Sequence, residues 1–301
     1  MSIPNNPLDW KMYRYSGMEV TAANFPEFDR YFLSMGAGVQ TTALLILVAQ
    51  GEVQADAVIF ADTGAEHPET YEYIEKYHKP LCEQLGIPFI TVRMHKKITE
   101  KDTGIVRYAD SLEEVIEARH RVPSVNNRWC TDYSKITPMK LAIRKLQEEG
   151  KLIKPATMLI GISTDEKHRA IKPDGTLKQP HLTEYTNKYP LLDLNISRDD
   201  CHTIIKQYGW PDPIKSGCYF CPFQGPRDWA NLFQSHPDLF WHSVELEEKD
   251  INFPTYNLYP RGGKKGLRRL ASGPGFGYGS MSLYDDYEGE ACVEVESSCM
   301  L

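Results

Sequence analysis

Two stretches carry residue types whose spacing could do chemistry. SMGAGVQTT, Ser34 to Thr42, gathers small residues after an apolar run. Glycines there let backbone N–H groups wrap an anion, and a helix N-terminus adds a favourable dipole, so a phosphate is the natural guest. The stretch is not a Walker loop. No Gly-Lys-Thr or Gly-Lys-Ser follows, and no GxGxxG with an acidic residue at dinucleotide spacing. Taken alone, a turn needed only for close helix packing explains it equally well. The second stretch is SGCYFCPFQG, where Cys218 and Cys221 form the single Cys-x-x-Cys pair among seven cysteines. Flanking Gly and Pro make a tight loop able to bring two thiolates onto one ion or cluster. An odd cysteine count without an export signal fits metal or redox use of a subset better than a disulfide framework. Cys82, between leucines at helical spacing, reads as core.

The elements that must position these groups follow from apolar periodicity. YFLSM reads as a strand, GAG as a turn and TTALLILVAQG as a helix capped by Gly51. ADAVIFADTG repeats the strand, and Pro68 opens a second helix through Tyr71, Ile74, Tyr77 and Leu81. IPFITVR is a third strand and TMLIGIS, Thr157 to Ser163, a fourth, ending in the charged TDEKHRA. ITPMKLAIRKLQEEG is an amphipathic helix. The alternation predicts an α/β fold: a parallel twisted sheet with helices on both faces, its ligands outside the strand carboxyl ends. Residues 1–29 read as an irregular N-terminal arm, 30–225 as a nucleotide-binding domain with the Cys-x-x-Cys site, and 226–301 as a smaller helical, then Gly-rich and acidic region. Residues 95–127 read as loop with one helix near Leu112 to Arg119, and 172–188 as a polar loop.

Composition bounds the function classes. The 301 residues are 41% hydrophobic and 25% charged, which excludes disordered, collagen-like and repeat chains. No apolar run could span a bilayer and the N-terminus lacks the build of a signal peptide, so a cytoplasmic protein without membrane contact is expected. A net charge of −7 argues against a surface coated with nucleic acid but permits a local basic groove. YPRGGKKGLRRL supplies one, with Arg261, Lys264, Lys265, Arg268 and Arg269 beside Tyr256 and Tyr259; a solvated surface loop is the plain alternative.

The run from Tyr31 to about Gln224 resembles the phosphoadenosine-phosphosulfate reductase branch of the PP-loop ATP pyrophosphatases, the adenine nucleotide alpha hydrolases. SMGAGVQTT is similar to that family's pyrophosphate loop, FADTGAEHPETYEYI to its DTGxxxPETY stretch, and RWCTDYSKITP to its Arg-x-Cys-x-x-x-x-Lys-x-x-Pro segment. LIGISTDEKHRA and SGCYFCP match two further motifs in the family's order. Departures are specific: Gln40 and Thr41 stand where the loop usually has Asp and Ser, Trp129 precedes Cys130 where some reductases have a second cysteine, and the chain ends in ESSCML, with Cys299, instead of the reductase nucleophile tail.

The resemblance implies a PP-loop, HUP-like fold and binding of ATP with Mg2+. It implies that Ser34, Gly36, Gly38, Gln40, Thr41, Thr42 and Gly161 hold nucleotide, with Asp62 and Thr63 at the next strand end. Arg128, Lys135 and Arg169 would supply positive charge, and Asp165 and Glu166 metal or acceptor contacts, or else merely a solvated helix start. Cys130, Cys218 and Cys221 would suit an iron-sulfur cluster of the 4Fe-4S type, with zinc as the alternative; Cys201 is either a fourth ligand or a buried helical cysteine. The function implied is a sulfurtransferase that adenylates an acceptor and inserts sulfur, into nucleic acid by DNA phosphorothioation or tRNA thiolation, with a sulfur-donor protein such as a cysteine desulfurase as partner. The alternatives are an adenylyl-sulfate or phosphoadenylyl-sulfate reductase, and a non-catalytic, metal-stabilised nucleotide-binding subunit.

Overall fold

A computed structural model of the chain describes residues 14–15, 18–19, 31–150, 152, 155–179, 184–253, 257–259 and 266–271. Within the N-terminal arm, β1 (Arg14–Tyr15) and β2 (Met18–Glu19) form a short antiparallel pair. Then β3 (Tyr31–Met35), α1 (Val39–Ala49) and β4 (Ala57–Asp62) follow in the expected order. Every residue of β4 is buried, as a strand covered on both faces must be. The helix opened by Pro68 runs as α2 (Pro68–Tyr73), a π turn (Ile74–His78) and α3 (Lys79–Leu85), and Gly86, at φ 68°, ends it. β5 (Phe89–Arg93) completes the first half.

The chain then leaves the sheet for a hairpin, β6 (Lys96–Thr99) and β7 (Val106–Ala109), and α4 (Leu112–Arg119). A short helix α5 (Trp129–Thr131), a second π turn (Asp132–Ile136) and α6 (Thr137–Glu148) lead back to β8 (Ala156–Leu159). A 3-10 turn (Thr164–Arg169), β9 (Tyr185–Lys188), α7 (Pro190–Asp193) and α8 (Arg198–Gln207) follow. The described part closes with α9 (Pro226–Ser235), α10 (Pro237–Glu248) and α11 (Gly266–Ala271).

The sheet order is β2-β1-β5-β4-β3-β8-β9, parallel from β5 to β9. The chain steps outward from β3 through β4 to β5, then returns to lay β8 on the other side of β3. That reversal leaves a crevice between the carboxyl ends of β3 and β8, where open parallel sheets bind ligands. One face is covered by α1, the α2–α3 helix and α8, through Leu44, Ile46, Leu81 and Ile205; the other by α6, through Met139, Ile143 and Leu146. A third core joins Met94, Ile98, Leu112 and Val115 to Phe220, Trp229, Phe240 and Leu267, so packing runs across the boundary read at residue 225.

Three elements differ from the sequence reading. β9 occupies part of the stretch read as a polar loop, since at the sheet margin only Tyr185 and Asn187 are buried. Its outer side is met by Gln179: the side-chain Oε1 accepts from Asn187 N–H at 2.7 Å and Nε2 donates to Asn187 C=O at 3.0 Å. The β6–β7 hairpin replaces loop in residues 95–127, and β1–β2 extends the sheet, with Arg14 opposite Thr91. No helix among the described residues is long and apolar enough to cross a membrane.

Candidate phosphate and thiol cleft

The candidate phosphate loop lies where β3 ends and α1 begins. Gly38 caps the helix in extended conformation with no side-chain cap, and the first turn carries no acidic residue, so the dipole end is left for an external anion. Ala37 sits in the left-handed region at φ 56°, between Gly36 and Gly38; such alternation turns successive N–H groups toward one point. Two glycines are required by close approach. A Cβ on Gly38 would stand 2.8 Å from Ser216 Oγ, and one on Gly161, just past β8, 2.9 Å from Thr41 Cγ2 and 3.2 Å from its backbone nitrogen. The cleft at the sheet reversal is lined by Ser34, Gly36, Thr41, Glu66, Lys135 and Gly161, among others.

The thiol loop is stitched to this cleft. Glu66 and Cys218 form an antiparallel bridge, Tyr219 N–H donates to Ala65 C=O at 2.9 Å, and Cys218 Sγ donates to Thr63 Oγ1 at 3.3 Å. Cys221 N–H donates to Cys218 C=O at 2.9 Å, closing the Cys-x-x-Cys turn, and Gln224 Nε2 holds Tyr219 C=O at 2.7 Å. From behind, Tyr219 OH donates to Glu113, which also meets His242 Nε2 at 2.9 Å. Cys130 packs with Cys218 at the edge of the third core and bears on it electrostatically. Burial, with the Glu66 carboxylate beside it, pushes the Cys218 thiol well above its ordinary pKa, and Lys135 opposes the shift.

Glu66 is a cleft residue that sequence reasoning missed. It is buried, accepts from Thr63 Oγ1 at 3.0 Å, and burial raises its pKa against the pull of Lys135. Its signal in the sequence is a lone carboxylate between Ala65 and His67, in the turn that leads from β4 to Pro68. Lys135 reaches the cleft from the second π turn, the kind of irregularity that helices carry at functional sites.

The remaining expected residues divide into those brought to the cleft and those turned aside. Asp62 is buried with both oxygens engaged: Oδ1 accepts from Gly64 N–H at 2.8 Å and Tyr71 OH at 2.7 Å, Oδ2 from Arg93 Nε at 2.7 Å. It shapes the loop after β4. Gln40 Nε2 donates to Glu166 Oε2 at 3.1 Å, and Arg169 donates to the same oxygen at 2.7 Å, which ties α1 to the 3-10 turn. Thr42 turns its hydroxyl to His78 Nε2 at 2.9 Å, behind the loop. Asp165 is exposed and accepts from the Arg198 N–H at 2.6 Å. Arg128 lies over the Phe223 ring at 4.9 Å.

Cys201 is fully buried in the core between α1 and α8, apart from Cys130 and Cys218, and burial pushes its thiol to about 12. Among the described residues the compact three-donor set of the kind a single ion takes is Glu113, Glu117 and His242, not the cysteines. In the basic stretch, Arg268 is held by Glu248 at 2.6 and 2.9 Å, while Arg261, Lys264 and Lys265 lie outside the described residues, as do Tyr256, Cys292 and Cys299.

The fold is thus an open parallel α/β sheet with a glycine-containing turn between β3 and α1 at its reversal point. More narrowly, the chain belongs to the phosphoadenosine phosphosulfate reductase domain family, whose model matches residues 30–198. It is 21% identical over 218 residues to an uncharacterized protein, MJ0973, of Methanocaldococcus jannaschii; the match covers 70% of this chain and 46% of that protein. The chain thus spans about half the length of that relative. Among solved structures it is similar to the U34-tRNA thiolase NcsA from Methanococcus maripaludis, determined with its 4Fe-4S cluster, at 16% identity and a TM-score of 0.36 over 73% of this chain and 70% of that one. At that level of similarity no role passes from one protein to the other.

Proposed function

We propose that the protein is an ATP-dependent sulfurtransferase that adenylates an acceptor oxygen, releases pyrophosphate and exchanges the activated oxygen for sulfur, the acceptor being a nucleic acid. The observation that carries this reading is the shared cleft: Glu66 and Lys135 line the phosphate cleft and both bear on the Cys218 thiol. A nucleotide site with a thiol at its edge suits chemistry in which activation and sulfur delivery happen at one place.

In this reading the acceptor oxygen attacks the α-phosphorus of ATP and the bond to pyrophosphate breaks; sulfide then attacks the adenylated carbon and AMP leaves with the original oxygen. N–H groups of the Gly36–Gly38 turn and the Lys135 ammonium offset the charge that grows on the departing pyrophosphate. Mg2+, bound with ATP, supplies further positive charge there. Thr63 and Glu66 hold the Cys218 loop in register with the cleft.

Cys130, Cys218 and Cys221 fit an iron-sulfur cluster. Cys218 is joined to Thr63 and Glu66, Cys130 bears on it electrostatically, and the three do not form the compact donor set that a single zinc ion takes. These three thiolates would hold such a cluster, and it would supply a place for sulfide to bind. Cys201, buried elsewhere, is not needed.

The test is anaerobic purification, iron, zinc and sulfide counts, and pyrophosphate release from ATP with RNA and DNA acceptors. The expected result is roughly four irons per chain, lost in Cys130→Ala and Cys218→Ala, as three-thiolate ligation requires. Acceptor-dependent pyrophosphate release should disappear in Lys135→Ala. Sulfite formation from adenylyl sulfate without pyrophosphate release would replace this reading with a reductase, and tight ATP binding without turnover with a nucleotide-binding subunit.

A further inference from the structure

Five arginines among the described residues are tied to carboxylates. Arg93 pairs with Asp62, Arg107 with Glu100, Arg144 with Glu184, Arg169 with Glu166 and Arg268 with Glu248. One group near the thiols departs from that pattern. Lys96 Nζ, from β6, stands 4.1 Å from the centre of the Tyr133 ring, and the Arg119 guanidinium, from α4, 5.5 Å from the same ring, with Arg119 also donating to Tyr133 OH at 3.4 Å. Among the described residues neither cation has a carboxylate partner. Trp129 meets Tyr133 edge to face at 5.5 Å, and the two rings flank Cys130 in sequence and pack with it against the third core while staying partly exposed.

The outer face of the hairpin repeats the same chemistry. Lys97 stands opposite Tyr108, both exposed, and the His95 ring, which meets Asp110 Oδ1 at 2.6 Å through Nδ1, lies flat on Tyr108 at 4.4 Å. Unpaired cations that alternate with partly exposed rings are what a phosphodiester strand with unstacked bases requires: the cations follow the phosphates and the rings take the bases.

We infer that the rim formed by Lys96, Arg119, Tyr133 and Trp129, continued by Lys97 and Tyr108 of the hairpin, is the docking surface for an unpaired nucleic-acid strand whose acceptor nucleotide is delivered beside Cys130. The inference rests on the sulfurtransferase reading and names its substrate surface. It moves that surface from the basic run near the C-terminus, where the Arg268 charge is already met by Glu248, to the hairpin and α4. A duplex keeps its bases stacked and presents no ring-sized face, so the rim selects a loop or single strand.

The test uses the full chain and a fluorescent 20-nucleotide single strand, as RNA and as DNA, with binding read by anisotropy over a salt series. Lys96→Ala and Arg119→Ala should each weaken binding about threefold or more and lower the slope of log affinity against log salt by about 0.7, the share of one phosphate on a single strand. Tyr133→Leu should weaken binding roughly tenfold with the slope unchanged, as loss of one stacked base does, and Tyr133→Phe should restore it. A matched duplex and a polyglutamate peptide should bind more weakly than the single strand.

Unchanged affinity in Lys96→Ala and Arg119→Ala, with the loss found instead in Lys264→Ala/Lys265→Ala, would overturn the inference, as would equal binding of polyglutamate. Pyrophosphate release from ATP separates the two levels. If Lys96→Ala binds oligonucleotide normally while the protein turns over ATP, the surface is wrong and the function stands. If the rim binds the strand but no ATP is consumed under any condition, the function falls and the surface stands.

Discussion

At the scale of single residues, two cysteines of similar sequence appearance have opposite environments. Cys218 lies against Thr63 and Glu66, the latter a cleft residue, whereas Cys201 is sealed between α1 and α8. On the proposed function, Cys201→Ser should leave bound iron unchanged and cost about 1–3 kcal/mol for a hydroxyl placed in an apolar core, read by urea unfolding. Cys218→Ser should do the reverse, losing iron with little change in the midpoint of the sheet. His78 offers a second contrast. It is completely buried, and burial lowers its pKa to about 3. The unfolded chain takes up this proton below about pH 6.5 and the folded chain only near 3, so stability is full above 6.5 and falls as the pH drops through that window. Between pH 7 and pH 5 this one group should remove about 2 kcal/mol, and His78→Gln should flatten the fall. Urea midpoints for both proteins at the two pH values check it.

At the scale of elements, the phosphate loop depends on how closely β8 approaches α1. Gly161→Ala puts a methyl group against Thr41, whose backbone cannot yield without moving the loop. About 1–3 kcal/mol of strain is expected, together with roughly tenfold weaker ATP binding at unchanged secondary structure. Isothermal titration beside circular dichroism separates the two effects. This region was readable in advance because its pattern is local: Tyr31–Met35, the glycines and the apolar helix are consecutive, and strands buried on both faces are continuous apolar runs. Elements at the margin were not. TNK in β9 and KKIT in β6 are polar because each strand buries one face at most, and pairing partners far along the chain decide that they are strands. Glu66, Gln40 and Thr42 show the same limit at the site. Motif order marked their neighbourhood, but which of them faces the cleft depends on Glu166, His78 and Lys135, which are remote in sequence.

At the scale of the whole molecule, the thiol loop rests on a core assembled from two segments far apart in the chain, Ala65 to Val122 and Tyr219 to Leu267. Phe220, between the cysteines, packs with Trp229 and Phe240 as well as with Leu112 and Val115. Trp229→Ala should cost about 3–5 kcal/mol in this layer, as large buried aromatics do. Because the sheet has its own two cores, the expected outcome is loss of bound iron while hydrogen exchange of β3 and β4 stays slow. Exchange that rises equally in both regions would mean that the layers unfold as one. The far margin of the sheet bears on how copies of the chain meet each other. Among the described residues the parallel sheet ends at β9, and such a margin leaves a row of backbone donors and acceptors, a template onto which a strand from another molecule could add. The amide of Gln179 imitates a neighbouring peptide at Asn187, so the template is already filled in its middle by a group that cannot be extended. Removing that one side chain should thus show itself less in the stability of a dilute sample than in its shelf life at high concentration, as slow growth of light scattering.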